Sequence, residues 1–313
     1  MRAVTVPRFG SPDVLEVVTD WPEPDPPGPD EVLVTVHAAG LNPSDCKIRG
    51  GMGPLPDDRS FPYVAGREAA GVVEAVGDEV TEFAPGDPVF AFFGWFSRFG
   101  GHAERVVVPA AAVARRPDSI PVVEAAAVPL AGLTAWQALG LLQAPPEATV
   151  VITGGAGGVG CFAVQLAAER GHRVVATASA TSFPLVEDLG ADVVVDYHDP
   201  HHIERLVDLA GGSVSYLLDL VGPGTIQGLV PVLAADARVV AVAGLAGDLP
   251  SSVAARAMRA RPDGVDLSQL AERLEDGRLR ALVDERFPLE EARSAHERLE
   301  GGRVHGKLVL TVT

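Results

Sequence analysis

Over the first 120 residues, short runs of apolar, β-branched residues alternate with turns rich in glycine and proline. Val4–Val6, Leu15–Val18, Val32–Ala38, Val64–Val76, Val89–Phe93 and Glu104–Val108 read as strands. Gly77-Asp78, Pro85-Gly86-Asp87 and Phe99-Gly100-Gly101 punctuate them, and Trp21 to Pro29 is a proline-rich crossing loop. Many short strands with such turns predict a small barrel-like domain. The pattern then changes period. An alanine-rich stretch from Pro121 to Pro129 and the run Leu133–Leu142 carry helical spacing. From Val150 to about Gly244 strands and helices alternate. Val150–Thr153, Arg173–Ala178, Val193–Val195, Tyr216–Leu220 and Arg238–Ala243 are strands apolar on both faces, which predicts a doubly wound parallel sheet. Beyond residue 265 come a charged amphipathic helix (Leu267–Leu274), a strand (Leu282–Arg286), a helix (Leu289–Leu299) and a terminal strand (Lys307–Val312). These last segments are expected to return to the first domain and close its edges. The division is thus 1–120 with 265–313, against 121–264.

Composition narrows the class. The chain has 313 residues, 47% hydrophobic and 21% charged, enough for two cores and without long disorder. The net charge of −17 argues against a nucleic-acid-binding surface. Two cysteines, Cys46 and Cys161, are too few for a disulfide framework or a four-cysteine zinc lobe, and both are expected to pack as small apolar side chains. The N-terminus lacks an apolar signal core, and no stretch reaches the roughly 18 apolar residues of a membrane span, so a soluble cytoplasmic protein is expected.

The most chemical stretch is Thr149 to Ala168. A β-branched strand runs into five glycines between Gly154 and Gly160, and then into a helix with Val159, Phe162, Ala163, Leu166 and Ala167 at helical spacing. Gly155, Gly157 and Gly160 fit G-x-G-x-x-G in the strand–turn–helix context that makes the motif meaningful. Glycines allow the tight turn and close backbone approach, and the helix N-terminus offers free N–H groups to a pyrophosphate. An NAD site places an acid at the end of the second strand, on the ribose 2′-OH. Here that place reads Ala176-Thr-Ala-Ser-Ala-Thr-Ser182. Nothing in it repels a 2′-phosphate, and Ser179, Thr181 and Ser182 offer hydroxyl donors, so NADPH is expected over NADH.

Seven stretches, in order along nearly the whole chain, together resemble the medium-chain dehydrogenase/reductase superfamily, in its zinc-free quinone-oxidoreductase (zeta-crystallin-like) branch. They are Gly40–Arg49, Pro62–Gly77, Pro85–Val89, Gly101–Glu104, Leu130–Ala135, Gly154–Gly160 and His305–Leu310. The resemblance implies an α/β protein: a GroES-like β-rich catalytic domain, a Rossmann domain, and an NADPH-dependent reduction in the cleft between them. It also implies a homodimer formed by edge pairing of the Rossmann sheets. Zinc-dependent relatives carry a Cys ligand where this chain has Asn42, and Gly-His-Glu where it has Gly66-Arg67-Glu68. Of that set only Glu68 remains, short of the three protein ligands a catalytic zinc needs. No metal is therefore expected, and hydride addition to a quinone or an α,β-unsaturated carbonyl suits such a site better than alcohol oxidation, because the acceptor's own conjugation takes the charge.

Carried over by resemblance, Asn42 faces the nicotinamide or the substrate carbonyl, with Asp45 and Lys47 following on the same turn as catalytic candidates. Lys47 is the candidate proton donor or enolate partner. Thr134, Gly244 and Leu245 flank the nicotinamide, and Gly154, Gly157, Gly158, Val159 and Gly160 meet the pyrophosphate. Ser179 and Tyr197 lie by the adenosine end, and Arg303 and Lys307 are candidates for the 2′-phosphate. Phe93, Trp95 and Phe96 are candidates to line the substrate pocket. The branch commonly carries a tyrosine a few residues after the position of Arg49, where this chain reads Gly50-Gly-Met-Gly-Pro54 without a hydroxyl. Two alternatives stay open: a tailoring enoyl reductase of secondary metabolism with one dedicated substrate, and a non-catalytic NADPH-binding protein.

Overall fold

The structure, a computed structural model, describes residues 1–52, 61–94, 100–245 and 249–312. It contains two compact units, residues 1–133 with 261–313 and residues 134–260. The expected boundaries at 120/121 and 264/265 move accordingly. The reason at the first boundary is packing. The Val122–Ala126 helix buries Ala125 and Ala126 completely and packs on the strands Glu31–Leu41 and Glu68–Val76, so it belongs to the first unit.

In the first unit the long strand Glu31–Leu41 is the organiser. Its burial alternates along most of its length, as a strand with one face on a core requires. It pairs antiparallel with Glu68–Val76, Arg105–Pro109 and, in register Leu308 to Leu41, with the terminal strand Lys307–Thr311. Val283–Pro288, Lys307–Thr311, Glu31–Leu41, Glu68–Val76, Pro88–Phe92 and Val113–Arg115 follow one another across this sheet. A smaller sheet pairs Glu16–Val18, Ala3–Val6 and Tyr63–Val64. The expected single strand Val64–Val76 is thus broken in two, into Tyr63–Val64 and Glu68–Val76. The break is at Gly66, whose φ of +93° suits glycine and whose missing Cβ would sit 2.4 Å from the His102 ring.

In the second unit the strands run Val193–Asp196, Arg173–Ala178, Thr149–Ile152, Val214–Asp219, Leu233–Ala241, Ala254–Ala257, all parallel. Numbered along the chain this is the order 3-2-1-4-5-6 of dinucleotide-binding sheets. Val150, Val151, Ile152, Val174, Val175, Leu217, Leu218 and Val239 are fully buried, which is why these strands read as unbroken apolar runs. The sixth strand, Ala254–Ala257, forms the edge and lies in a stretch without a strand signature. Among the described residues no helix is long and apolar enough to cross a membrane. Cys46 and Cys161 are both buried and free.

Candidate functional site: a glycine loop and a buried polar knot

The glycine loop leaves the carboxyl end of Thr149–Ile152, where the strand order reverses. Gly154 turns the chain with φ +70°. Gly157 is the N-cap of the Gly158–Glu169 helix and brings no side-chain cap, so the first-turn N–H groups at Gly158, Val159 and Gly160 have no capping partner from it. A Cβ on Gly160 would lie 2.1 Å from the Gly154 carbonyl oxygen, so only glycine lets the helix start this close to the turn. This bare cradle with a positive helix end fits a pyrophosphate. Gly154 itself is a correction. Its N–H donates to Thr177 Oγ1 at 3.0 Å and its carbonyl accepts from Gly157, so it shapes the turn and has no N–H left for a phosphate.

Three residues that sequence reasoning missed hold this loop. Thr153 Oγ1 donates to Asp219 Oδ1 at 2.7 Å and accepts from Leu220 N–H at 3.0 Å. Asp219 Oδ2 accepts from Gly222 N–H at 2.9 Å. Burial pushes the Asp219 carboxyl up from the ordinary range, against the pull of these donors. Thr153, Thr177 and Asp219 sit at or just past the carboxyl ends of three adjacent strands. A polar residue closing each apolar run was the available signal.

At the end of the second strand, Ser179 Oγ lies 2.9 Å from Ser182 Oγ and 3.1 Å from Thr181 Oγ1, a cluster of hydroxyls, and the Asp196 carboxylate at the end of the neighbouring strand reaches the same turn at the Ala180 N–H. Tyr197 follows the neighbouring strand end, is 50% exposed, and lies against His198 with ring centroids 4.2 Å apart. The nearby Asp196 is engaged by the His198 ring and backbone. Gly244, at φ +107°, and Leu245 follow the fifth strand, and Thr134 is buried in the Pro129–Leu142 helix.

In the first unit a polar knot is buried beside the terminal strand. Asn42 caps the Pro43–Arg49 helix, and its backbone N–H donates to Asp45 Oδ2 at 2.8 Å. The Asn42 side chain bonds two charged groups from other elements: Nδ2 donates to Glu68 Oε1 at 2.7 Å, and Oδ1 accepts from Lys307 Nζ. Lys307 Nζ also donates to Leu41 O at 3.0 Å and to Glu68 Oε1 at 2.8 Å. Glu68 Oε2 accepts from Leu130 N–H at 2.6 Å. All four side chains of Asn42, Asp45, Glu68 and Lys307 are buried.

This arrangement corrects several expectations. Lys307 cannot serve a 2′-phosphate, because its three ammonium donors already have three oxygen acceptors. Asp45 is a capping residue; burial pushes its carboxyl up, with the nearby His102 and Arg67 opposing. Phe93 is buried in the core of the first unit. Trp95 and Phe96 lie outside the described residues. Lys47 is exposed on the Pro43–Arg49 helix and takes no part in the knot, and Arg303 sits on an exposed turn at φ +58°. Arg67, where a metal-ligand histidine is expected in zinc relatives, is fully buried. With Asn42 tied to an ammonium and a guanidinium at the second position, this donor set does not fit a zinc ion. Among the described residues no group of three or more His, Cys, Asp and Glu is arranged to hold a metal.

Next to the knot is a second buried polar cluster. His296 Nδ1 accepts from Arg49 Nη1 at 3.0 Å and lies 3.4 Å from Cys46 Sγ; Arg49 also pairs with Glu300. His102 Nε2 lies 3.3 Å from Gly40 O, and its ring is edge-on to that of His296 at 6.2 Å. Burial pushes the Cys46 thiol up to about 12 and, with His102 and Arg49, the His296 imidazole down to about 2, so both stay neutral. A cavity of about 480 Å³ elsewhere in this unit, lined by Phe83, Arg115, Arg116, Val265 and Glu272 among others, contains none of the residues singled out from sequence.

Comparison with known proteins agrees with this architecture. Residues 28–118 match the alcohol dehydrogenase GroES-like domain and residues 189–310 the zinc-binding dehydrogenase family. The NAD(P)H oxidoreductase RTN4IP1, mitochondrial, of Danio rerio is 32% identical over 100% of this chain and 91% of its own length. A solved NAD-dependent alcohol dehydrogenase superposes with a TM-score of 0.89 at 33% identity, covering 100% of both chains. The Escherichia coli quinone oxidoreductase complexed with NADPH superposes at 0.88 with 27% identity, again over 100% of both chains. With a GroES-like unit and a Rossmann sheet in one chain, and such identity sustained from end to end, the protein belongs to the medium-chain dehydrogenase/reductase superfamily.

Proposed function

We propose that this protein is an NADPH-dependent, zinc-independent oxidoreductase that reduces a quinone or an α,β-unsaturated carbonyl. The observation that carries the reading is the Lys307 ammonium held by Leu41 O, Asn42 Oδ1 and Glu68 Oε1, in the place where zinc-dependent relatives keep metal ligands. A locus already neutralised by an ammonium, with Arg67 beside Glu68 in sequence, has no ligand set for a dication. The acceptor must then carry its own activation, as a conjugated carbonyl does.

The residues for the cofactor are those of the second unit. The N–H groups of Gly158, Val159 and Gly160 suit the pyrophosphate, and the hydroxyls of Ser179 and Thr181 with Tyr197 suit the 2′-phosphate end of the adenosine. Gly244, Leu245 and Thr134 are assigned to the nicotinamide end. When bound, the reduced nicotinamide supplies a hydride. The names of the two solved neighbours point to different nicotinamide cofactors, so the preference for NADPH rests on the hydroxyl cluster that follows the second strand. The open edge strand Ala254–Ala257 supports a homodimer built by sheet-edge pairing, which sedimentation would detect.

The test is consumption of NADPH, against NADH, with 9,10-phenanthrenequinone, 1,4-benzoquinone, simple enones and enoyl thioesters, in the presence of EDTA. Turnover that prefers NADPH and persists in the chelator is expected. Loss of turnover in EDTA that zinc restores overturns zinc independence. Reduction of a single large enoyl substrate alone would select the tailoring reductase, and NADPH binding without turnover on any acceptor the non-catalytic reading.

A further inference from the structure

The polar knot leaves the Asn42 amide one orientation. Its Oδ1 accepts from the Lys307 ammonium and its Nδ2 donates to the Glu68 carboxylate, so oxygen and nitrogen cannot exchange places without setting donor against donor. Each of the three ammonium protons of Lys307 has an acceptor. Both Glu68 oxygens are used as well, Oε1 by Asn42 and Lys307 and Oε2 by Leu130 N–H. Among the described residues the knot leaves two polar groups without a protein partner, the acceptor Asp45 Oδ1 and the second Nδ2 hydrogen of Asn42, and of these only the Asn42 hydrogen can donate to a ligand oxygen. An amide whose oxygen accepts from a cation carries a more positive N–H, because hydrogen bonds in a chain polarise one another in a low-dielectric interior.

We infer that Lys307 is a positioning residue that fixes Asn42 as an N–H donor and polarises it toward a substrate oxygen that gains negative charge. The inference rests on the reductase reading above. The ligand class it selects is a carbonyl acceptor whose oxygen becomes an enolate or a hydroquinone anion. The balance is that of a two-electron reduction. The acceptor gains a hydride from the reduced nicotinamide, and the displaced π pair comes to rest on the carbonyl oxygen. One proton from water completes the product, and the nicotinamide is left oxidised. Lys307 and Glu68 change neither charge nor bonding; they hold the donor ready before the oxygen needs it.

The experiment is a double-mutant cycle on kcat/KM with Asn42→Ala, Lys307→Met and the two combined, across acceptors from electron-poor 1,4-benzoquinone to methyl vinyl ketone. NADPH affinity is read by fluorescence and folding by thermal melting. Loss of either residue is expected to lower kcat about tenfold or more, with the larger loss on the weaker acceptor. The combined variant should lose no more than one single variant does, and NADPH affinity should be unchanged. Where Lys307→Met does not fold, Glu68→Gln/Lys307→Met, which removes both buried charges, takes its place in the cycle. Losses that multiply, that are equal on every acceptor, or that follow NADPH affinity overturn the inference and leave the reductase reading standing. A wild type silent toward every acceptor overturns both.

Discussion

The glycine loop and the polar knot solve the problem of presenting polar groups in opposite ways. The loop works by omission: Gly157 brings no side chain to cap the helix, and Gly160 has no Cβ to hold the helix away from Gly154. Its parts are neighbours in sequence. The knot works by saturation: the ammonium of Lys307 and the carboxylate of Glu68 are taken out of water and each is given oxygen or N–H partners, with one hydrogen of the Asn42 amide left over as a donor. Its parts come from positions 26, 239 and 265 residues apart. A backbone cradle tolerates variation everywhere except at the glycines. A saturated charge pair tolerates almost none, because removing one partner strands the other.

Substitutions on the two sides sharpen that contrast. Lys307→Met should be the most damaging, since it leaves the Glu68 carboxylate buried without its cation; a loss of about 3–5 kcal/mol in urea unfolding is expected, and Glu68→Gln in the same chain should restore most of it. A loss below that of an ordinary surface substitution would show the pair to be dispensable. Gly160→Val should leave the first unit intact but drive a side chain into the Gly154 carbonyl. About 1–3 kcal/mol of overpacking should appear as a fall in NADPH affinity of roughly tenfold to a hundredfold, measured by fluorescence titration.

A smaller effect belongs to the cluster beside the knot. His296 is held down at about 2 by burial, with His102 and Arg49 adding to it, against an ordinary value of 6.5. Between those values the unfolded chain binds a proton that the folded chain does not. This ring's contribution is therefore complete above 6.5 and is lost as pH falls below it, by about 1.4 kcal/mol per pH unit. Stability measured from pH 7 to pH 5 should fall less steeply in His296→Gln, and parallel slopes would show that Cys46, Arg49, His102 and Glu300 around it offset the ring's charge. The smallest effect is expected at Lys47, which is exposed and takes no part in the knot. Lys47→Gln should change kcat/KM by no more than about twofold, as surface positions do; a larger fall would restore it as a proton donor.

The boundary between what was readable and what was not follows the same contrast. The two-domain order, the parallel sheet and the glycine turn were legible because each is written in adjacent residues. Val150 to Ile152 must be buried on both faces, and Gly154 and Gly160 permit a turn that a side chain at either position would strain or block. The edge strand Ala254–Ala257 was not legible, since its small and charged residues carry no periodic pattern and only pairing with Leu233–Ala241 makes them a strand. Gly154 and Lys307 were misread for a related reason: a motif shows which residue types are present but not whether their polar groups are already occupied.

By itself, then, the sequence determined where most of the buried strands and helices lie and that a nucleotide-type loop exists, because those features depend on local sterics and on the period of apolar side chains. Only the tertiary structure decided that Lys307 lies against Asn42 and Glu68. The antiparallel pairing of Lys307–Thr311 with Glu31–Leu41 brings the end of the chain beside residue 41, and a buried charge takes whatever partners that pairing delivers.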